Sequence, residues 1–329
     1  MIFLTLLAYV HFLLYLCAIF VYLYAMLRRV MQYIREKELL EKGDKVLVCV
    51  SGGADSVALL DLLQRGGFEC IIAHCNFHLR GEESNRDEEF VKRVGDEQTP
   101  QSYGQLPYLG EQVKVMVKHF DTEGYAKEKG ISIEMAAREL RYQWFAEVAE
   151  AEGCKAIAVA HHQHDQAETV LLNLKRGTGI RGLCGMRAKS ANPYGGTVPV
   201  IRPLLCTTRD YIEHYLRDIR HLAWVEDSTN SDVRIKRNAV REQIKNYSKA
   251  EIEHIAATAE HMQGYVDWLE GRDTREAGQA KLYEELKDYG FAEINKIYDA
   301  LQRGVGGKEF RSATHKAVIR KGEVVVDPT

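Results

Sequence analysis

The chain has 329 residues, 46% hydrophobic and 28% charged, with a formal net charge of −3, enough apolar material for one sizeable core plus a smaller appendage, which excludes a disordered or fibrous chain and favours two domains. Residues 1–170 carry 18 basic against 25 acidic side chains, residues 171–245 carry 14 against 7, and residues 246–329 carry 12 against 15. A basic middle between acidic flanks fits a local polyanion contact or a solvated charged face, and excludes a protein that is basic throughout.

The first stretch, Ile2 to Met26, is apolar except for Thr5 and His11 and is followed by Arg28 and Arg29. It is long enough to span a bilayer, which takes about 20 apolar residues, and the arginines would hold the rest of the chain in the cytoplasm. It lacks the charged n-region and small-residue cleavage site of a signal peptide. Directly after it, "MLRRVMQYIREKELL" is an amphipathic helix in its own right, with Leu27, Val30, Ile34 and Leu39 to Leu40 on one side. The reading adopted takes Met26 as the start, residues 1–25 as a mis-assigned upstream segment or transmembrane helix, and the protein as cytoplasmic.

From there strand and helix alternate. "DKVLVCV" is a strand and "DSVALLDLLQRGG" a helix; "ECIIAHCNF" and "ESNRDEEFVKRVGDE" repeat the pair; "QVKVMVKHF" is followed by the long helix "IEMAARELRYQWFAEVAEAEG", and "KAIAVAHH" by "DQAETVLLNLKRG". Buried β-branched runs alternating with helices predict a doubly wound, mainly parallel α/β sheet. A polar stretch at 98–110 interrupts the rhythm. Beyond about Asn246 the periodicity is helical until the hairpin-like "KAVIRKGEVVV", so the expected domains are 26–245 and a smaller, mostly helical 246–329. The seven cysteines contain no C-x-x-C and sit mostly in strand-like runs, the usage of reduced thiols in a cytoplasmic protein.

Chemistry concentrates behind the first strand, in "CVSGGADSVALL" (49–60). A loop there faces the ligand crevice of an α/β sheet, and the next helix points unpaired N–H groups at an anion. Gly52 and Gly53 let the backbone approach phosphate oxygens, and Ser51 and Ser56 supply hydroxyl donors. No G-x-x-x-x-G-K-[ST] is present, so this is not a Walker loop. Asp55 would repel phosphate, and is useful there only as a helix cap or a Mg²⁺ ligand. Asp165 and Glu168, three apart at the start of a helix, share a face and can accept from a donor group placed over it. Arg138 and Arg141 are also three apart, and Arg237 and Arg241 four apart; like charges so close are tolerable around an anion such as phosphate. Each pair also reads as a solvated helix face. "GTGIRG" (177–182) follows a helix and fails the context of a dinucleotide fingerprint; its glycines fit a helix cap and loop. His74, Cys75, His78, His161, His162 and His164 fall at strand ends in mixed orientation and do not make a zinc site.

The S-G-G-x-D-S pattern resembles the pyrophosphate loop of N-type ATP pyrophosphatases. Four further stretches, "HCNFHLRGEESNRDEEFV" (74–91), "EMAARELRYQWF" (134–145), "AHHQHDQAETVLLNLKRGTGIRGLCGM" (160–186) and "WVEDSTNSDVRIKRNAVR" (224–241), occur in the order and spacing of the tRNA(Ile)-lysidine synthase family. The resemblance covers about 26–245, and weakly the helical region after it. It implies an enzyme that uses ATP and Mg²⁺ to adenylate O2 of cytidine 34 in the CAU anticodon of a tRNA(Ile), followed by attack of the L-lysine ε-amine on C2 and release of AMP. It also implies nucleotide contacts from Ser51, Gly52, Gly53, Ala54, Asp55, Ser56, His74 and Arg80, with Asp55 as the Mg²⁺ ligand. Asp55, Asp165, Glu168 and Arg237 become the catalytic set, and Arg138, Arg141, Arg237 and Arg241 the tRNA contacts. No protein partner is implied, and a homodimer is open. Two departures stand out: His164 occupies the place where many relatives carry an aspartate, and many relatives continue into another C-terminal domain. The alternatives are another PP-loop tRNA-modifying enzyme, of which a thiolase would need paired cysteines while this chain has no C-x-x-C, or a degenerate non-catalytic nucleotide-binding protein.

Overall fold

A computed structural model describes residues 25–96, 113–226 and 236–329, with side chains described from 239 in the last segment. The apolar stretch before residue 25, the polar run at 98–110 and the Arg237 side chain lie outside the described residues. Among the described residues no helix is long and apolar enough to cross a membrane.

The chain forms two compact units: the first runs to Asp165 and resumes from Ala188 to Lys249, and the second joins Gln166–Arg187 to Ala250–Thr329. The division is therefore not a single cut in the sequence.

In the first unit, helix α1 (25–36) precedes β1 (Lys45–Cys49), α2 (Ala54–Arg65), β2 (Glu69–Asn76), α3 (Glu82–Asp96), β3 (Val115–His119), α4 (Thr122–Lys129), α5 (Ile133–Ala151) and β4 (Ala156–Ala158). The start of α6 (Gln163–Lys175) also belongs here, and the unit ends with β5 (Lys189–Ser190), β6 (Val200–Ile201), α8 (Arg209–His214) and α9 (Lys236–Ile244). The six-stranded sheet has the order β3-β2-β1-β4-β6-β5, parallel except for β5 against β6. Period-2 alternation divides β1 between two layers. Val46 and Val48 pack with Val30, Ile34, Leu59 and Leu63 on one face, and Leu47 packs with Ile157, Tyr142, Phe145 and Val148 on the other. The chain steps outward from β1 to β2 and β3, then returns to β4 on the far side of β1. The reversal makes the β1/β4 boundary the topological switch point, where α/β sheets place their ligands.

Two details differ from the sequence reading. The buried stripe of α1 is Met26, Val30 and Ile34, with Leu27 only partly buried; Leu39 and Leu40 pack after the helix has ended, because Glu38 takes the left-handed conformation (φ 49°) and turns the chain. The strands β5 and β6, helix α4, helix α8 and the π-helical turn that continues it (Tyr215–Arg220) were not anticipated, being too short for periodicity to mark.

That π-helical turn is tied to α2 by a half-buried charge cluster. Asp61 accepts from Arg220 through both Nε (3.0 Å) and Nη2 (2.8 Å), from Arg65 Nε (3.2 Å), and from the Tyr215 hydroxyl. Burial would raise the Asp61 pKa; the Arg220 and Arg65 guanidiniums and the Tyr215 hydroxyl outweigh it and hold the carboxyl below its ordinary value.

The second unit holds the rest of α6, the short α7 (Ile180–Leu183), the helices α10 (Lys249–Leu269), α11 (Arg275–Leu286) and α12 (Ile294–Gln302), and an antiparallel sheet of β7 (Glu309–Arg311), β8 (His315–Arg320) and β9 (Glu323–Pro328). Its core joins Leu282, Leu286, Ile294 and Ile297 to Ala317 of the sheet. The expected terminal hairpin is present as β8 and β9, with β7 added at the edge. The glycine loop after α6 turns at Gly177 (φ 73°) and is clamped by side-chain amides: Gln166 pairs with both backbone groups of Met186, and Asn173 donates to Gly182 O. Asp267, 2% exposed, receives a bidentate pair from Arg187 (2.7 and 2.8 Å) and a further contact from Arg272.

Candidate active site

The loop after β1 is shaped by its own serines. Ser56 Oγ donates to Gly53 O (2.8 Å) and accepts from the Ser51 backbone N–H (3.2 Å), closing the turn across the start of α2. Gly52 has φ 96°, a conformation that strains any side-chain-bearing residue, and its carbonyl accepts from Val225 N–H (2.9 Å). Gly53 is the N-cap of α2 with no side-chain cap; the Ser56 N–H donates to Gly53 O (3.1 Å), and the Ala54 and Asp55 amides ahead of it are the donors a helix N-terminus offers to an anion. His74, 4% exposed, supports the loop from behind through Nδ1 to Val50 O (2.9 Å). Arg80 pairs with Asp87 (2.7 Å) at the start of α3.

Asp55 is not a helix cap, one of the two roles expected of it. Its carboxylate turns toward the β4 side of the crevice: Oδ2 accepts from Arg209 Nη1 (2.9 Å), and Oδ1 lies 3.6 Å from His162 Nε2. Oδ1 is buried with no hydrogen-bond partner. Arg209 comes from the start of α8 and also engages Glu213 (2.8 Å) one turn on. His162 closes the loop after β4, and its Nδ1 lies 3.5 Å from Asp165 Oδ2.

Asp165 has a duty the sequence reading did not include: it accepts from the His162 backbone N–H (2.9 Å), the reciprocal half of a capping box on α6. Glu168, one turn further along α6, is 3% exposed. Arg138 and Arg141 on α5 lie over aromatic rings, at 5.0 Å from the Tyr142 centroid and 5.1 Å from that of Phe77. Phe77 also lines a hollow of about 440 Å³ between the ends of β2 and β3, beside the stacked His78 and His119 rings. Arg241 on α9 is close enough to Asp165 to lower its pKa. The structure thus gathers Ser51–Ser56, Asp55, His162, Asp165, Arg209 and Arg241 around one crevice. Arg209 and His162 were missed, because no spacing in the sequence links Arg209 to a carboxylate 154 positions earlier.

Electrostatics in the crevice are coupled. Burial alone would lower the His162 pKa, but the Asp165 and Asp55 carboxylates more than offset it and leave it raised. Burial would raise Asp165, and His162 and His161 bring it down. Burial pushes His161 down to about 4. These shifts fix the sign of the pH dependence. His161, depressed in the folded state, makes stability rise with pH between about 4 and its unfolded value near 6.5. His162, raised, contributes stability that is complete below about 6.5 and is lost as pH climbs through its folded value. Without nucleotide or Mg²⁺, urea midpoints are expected to rise toward pH 6.5, and His161→Asn to flatten that acid limb; an unchanged limb in the variant would contradict the assignment.

A PP-loop domain model matches residues 24–248, and a TilS substrate-binding domain model matches residues 273–329. Among curated relatives, the tRNA(Ile)-lysidine synthase of Bacteroides thetaiotaomicron is 40% identical over 316 residues, covering 88% of this chain and 69% of that protein. That of Parabacteroides distasonis is 41% identical over 317 residues, covering 88% and 67%. The chain belongs to the tRNA(Ile)-lysidine synthase family. It spans about two thirds of the length of these two lysidine synthases. Among solved structures, a U34-tRNA thiolase from Methanococcus maripaludis with its [4Fe-4S] cluster superposes with a TM-score of 0.54 at 16% identity, covering 77% of this chain and 81% of that one. At that identity the likeness extends to the fold, and the thiolase alternative gives way to the lysidine synthase family. The PP-loop match spans the Ser51–Ser56 loop and the helices α5, α6 and α9.

Proposed function

We propose that this protein ligates L-lysine to C2 of cytidine 34 in the CAU anticodon of a tRNA(Ile), using ATP, and that the crevice at the β1/β4 switch point is where the nucleotide is cleaved. The observation that carries the reading is the meeting of a glycine-serine loop, an α2 N-terminus and the Asp55–Arg209–His162 charge cluster at that point, in a chain about 40% identical to lysidine synthases.

In the first step cytidine O2 attacks the α-phosphorus of ATP, the bond to the bridging oxygen breaks, and pyrophosphate leaves with the electron pair. The Ser51 hydroxyl and the Ala54 and Asp55 amides at the start of α2 hold the departing phosphates, on a loop that Ser56 closes. Asp55 Oδ1, buried and without a hydrogen-bond partner, fits a hard cation that takes oxygen ligands, and Mg²⁺ bound there would offset phosphate charge. Arg138 and Arg141 add positive charge along α5 for phosphate or anticodon backbone. In the second step the lysine ammonium gives up a proton to a carboxylate of the Asp165–Glu168 pair, its nitrogen attacks C2, and the C2–O bond breaks with its electron pair on the departing AMP, whose phosphate carries off the second nitrogen proton. Glu168 and Asp165 hold the amine, and Arg237 and Arg241 contact the tRNA or the leaving group.

The first step is tested with α-labelled ATP and a CAU-bearing tRNA(Ile) transcript, with lysine omitted: label is expected on the tRNA, with pyrophosphate released in equal amount. No tRNA-bound label, with ATP intact, would oppose the reading. Glu168→Ala separates the two halves of the site, because its proposed partner is the amine. ATP affinity is expected to stay within about threefold while lysine transfer is lost. A loss of ATP affinity as large as that of Ser51→Ala would move Glu168 to the nucleotide.

A further inference from the structure

The first helical turn of α8 has an unusual cap. Its N-cap residue, Thr208, is fully buried, yet its hydroxyl makes no capping bond and has no hydrogen-bond partner. The orphaned N–H of Arg209, the first residue of the helix, instead donates to His164 Nδ1 at 3.3 Å. The link is reciprocal, since the N–H of Gln163, the first residue of α6, donates to Thr207 O at 2.9 Å. The N-termini of the two helices are stitched to each other, and the stitch ends at the residue whose guanidinium holds Asp55.

We propose that His164 is a positioning residue: through its Nδ1 lone pair it caps α8 at Arg209 and so fixes the Arg209 guanidinium on Asp55. The inference rests on the reading of the crevice as the nucleotide site. A neutral imidazole and a carboxylate both offer an acceptor to a helix N-terminus, so aspartate is the conservative replacement at this place. The cap also fixes the state of the ring. Nδ1 must be unprotonated and Nε2 must carry the hydrogen. Burial and the neighbouring His162 favour that neutral form over the opposing influence of Asp210 and Asp165, and the Arg209 charge acts in the same direction as His162. Without the acceptor, α8 and the π-helical turn after it keep their packing through Ile212 and Leu216, but the first turn of α8 is free to shift, and with it the Arg209 side chain.

The test uses the full chain, wild type, His164→Asp and His164→Leu. In wild type, ¹⁵N shifts of His164 are expected to show the neutral Nε2–H tautomer, and the Arg209 amide to be protected from hydrogen exchange. His164→Leu is expected to lose that protection and to lower kcat on the order of 10²-fold, the scale of an ångström-level misplacement, with KM for lysine unchanged. His164→Asp is expected to restore both protection and kcat to within about threefold of wild type. A His164→Leu variant with wild-type kcat, or a protonated Nδ1 in the native protein, would overturn the proposal. If wild type itself transfers no lysine, the function reading fails, and the tautomer and exchange measurements still decide the cap.

Discussion

Replacing Asp55 by Ala is expected to reduce ATP-dependent lysine incorporation by roughly 10³-fold or more, the scale seen when a preorganised electrostatic partner of the transition state is removed. The carboxylate is the sole acidic group in the Ser51–Ser56 loop, and the Arg209 guanidinium and the His162 imidazole converge on it. Loss of the carboxylate takes away the proposed Mg²⁺ ligand and leaves Arg209 with Glu213, and His162 with Asp165, as their remaining acidic neighbours. Because unpaired buried charge can also destabilise, Asp55→Asn serves as the companion variant: it keeps the shape and removes only the charge. Both variants are expected to retain the wild-type circular dichroism spectrum. Wild-type rates in a folded Asp55→Asn protein would remove Asp55 from the mechanism.

The largest effect on stability is expected at Asp61, far from the loop in role though on the same helix. Asp61→Ala leaves Arg220, whose side chain is only 11% exposed, without its bidentate partner and the Tyr215 hydroxyl without its acceptor. Breaking a buried pair from one side costs about 3–5 kcal/mol, a fall in Tm on the order of 10 °C for a domain of this size. Removing both charges together, Asp61→Leu with Arg220→Met, is expected to recover most of the loss, since an apolar replacement of a whole buried pair is often neutral. A double variant no more stable than Asp61→Ala would show that the cluster contributes through geometry beyond charge compensation.

The parts of the fold legible in the sequence are those where one physical signal repeats. The runs "KVLVC" and "ECIIAHCN" had to be strands because they are β-branched, apolar on both faces and bounded by glycine and charge. The glycine-serine loop was legible because Gly52 and Ser56 perform local tasks, a left-handed turn and a hydroxyl closure, within six residues. Elements held by tertiary pairing were not legible. β6 is two residues long and is a strand because β4 and β5 lie on either side of it. Arg209 is a site residue only because α8 returns to the β1/β4 crevice. Asp165 shows the limit from the other side: its i, i+3 relation to Glu168 was correctly read as one helix face, yet the carboxylate is engaged by its own helix N-terminus, which spacing to Glu168 does not reveal.

The central claim is that the ATP chemistry of this crevice ends in a lysine–cytidine bond. The most direct measurement is nucleoside mass spectrometry of a CAU-bearing tRNA(Ile) transcript after incubation with the protein, ATP, Mg²⁺ and isotopically labelled lysine. The account predicts a cytidine at position 34 heavier by one lysine less one water, formed only with ATP and absent from a transcript in which that cytidine is replaced. Consumption of ATP with cytidine 34 unmodified, or label attached to another nucleotide, would contradict it.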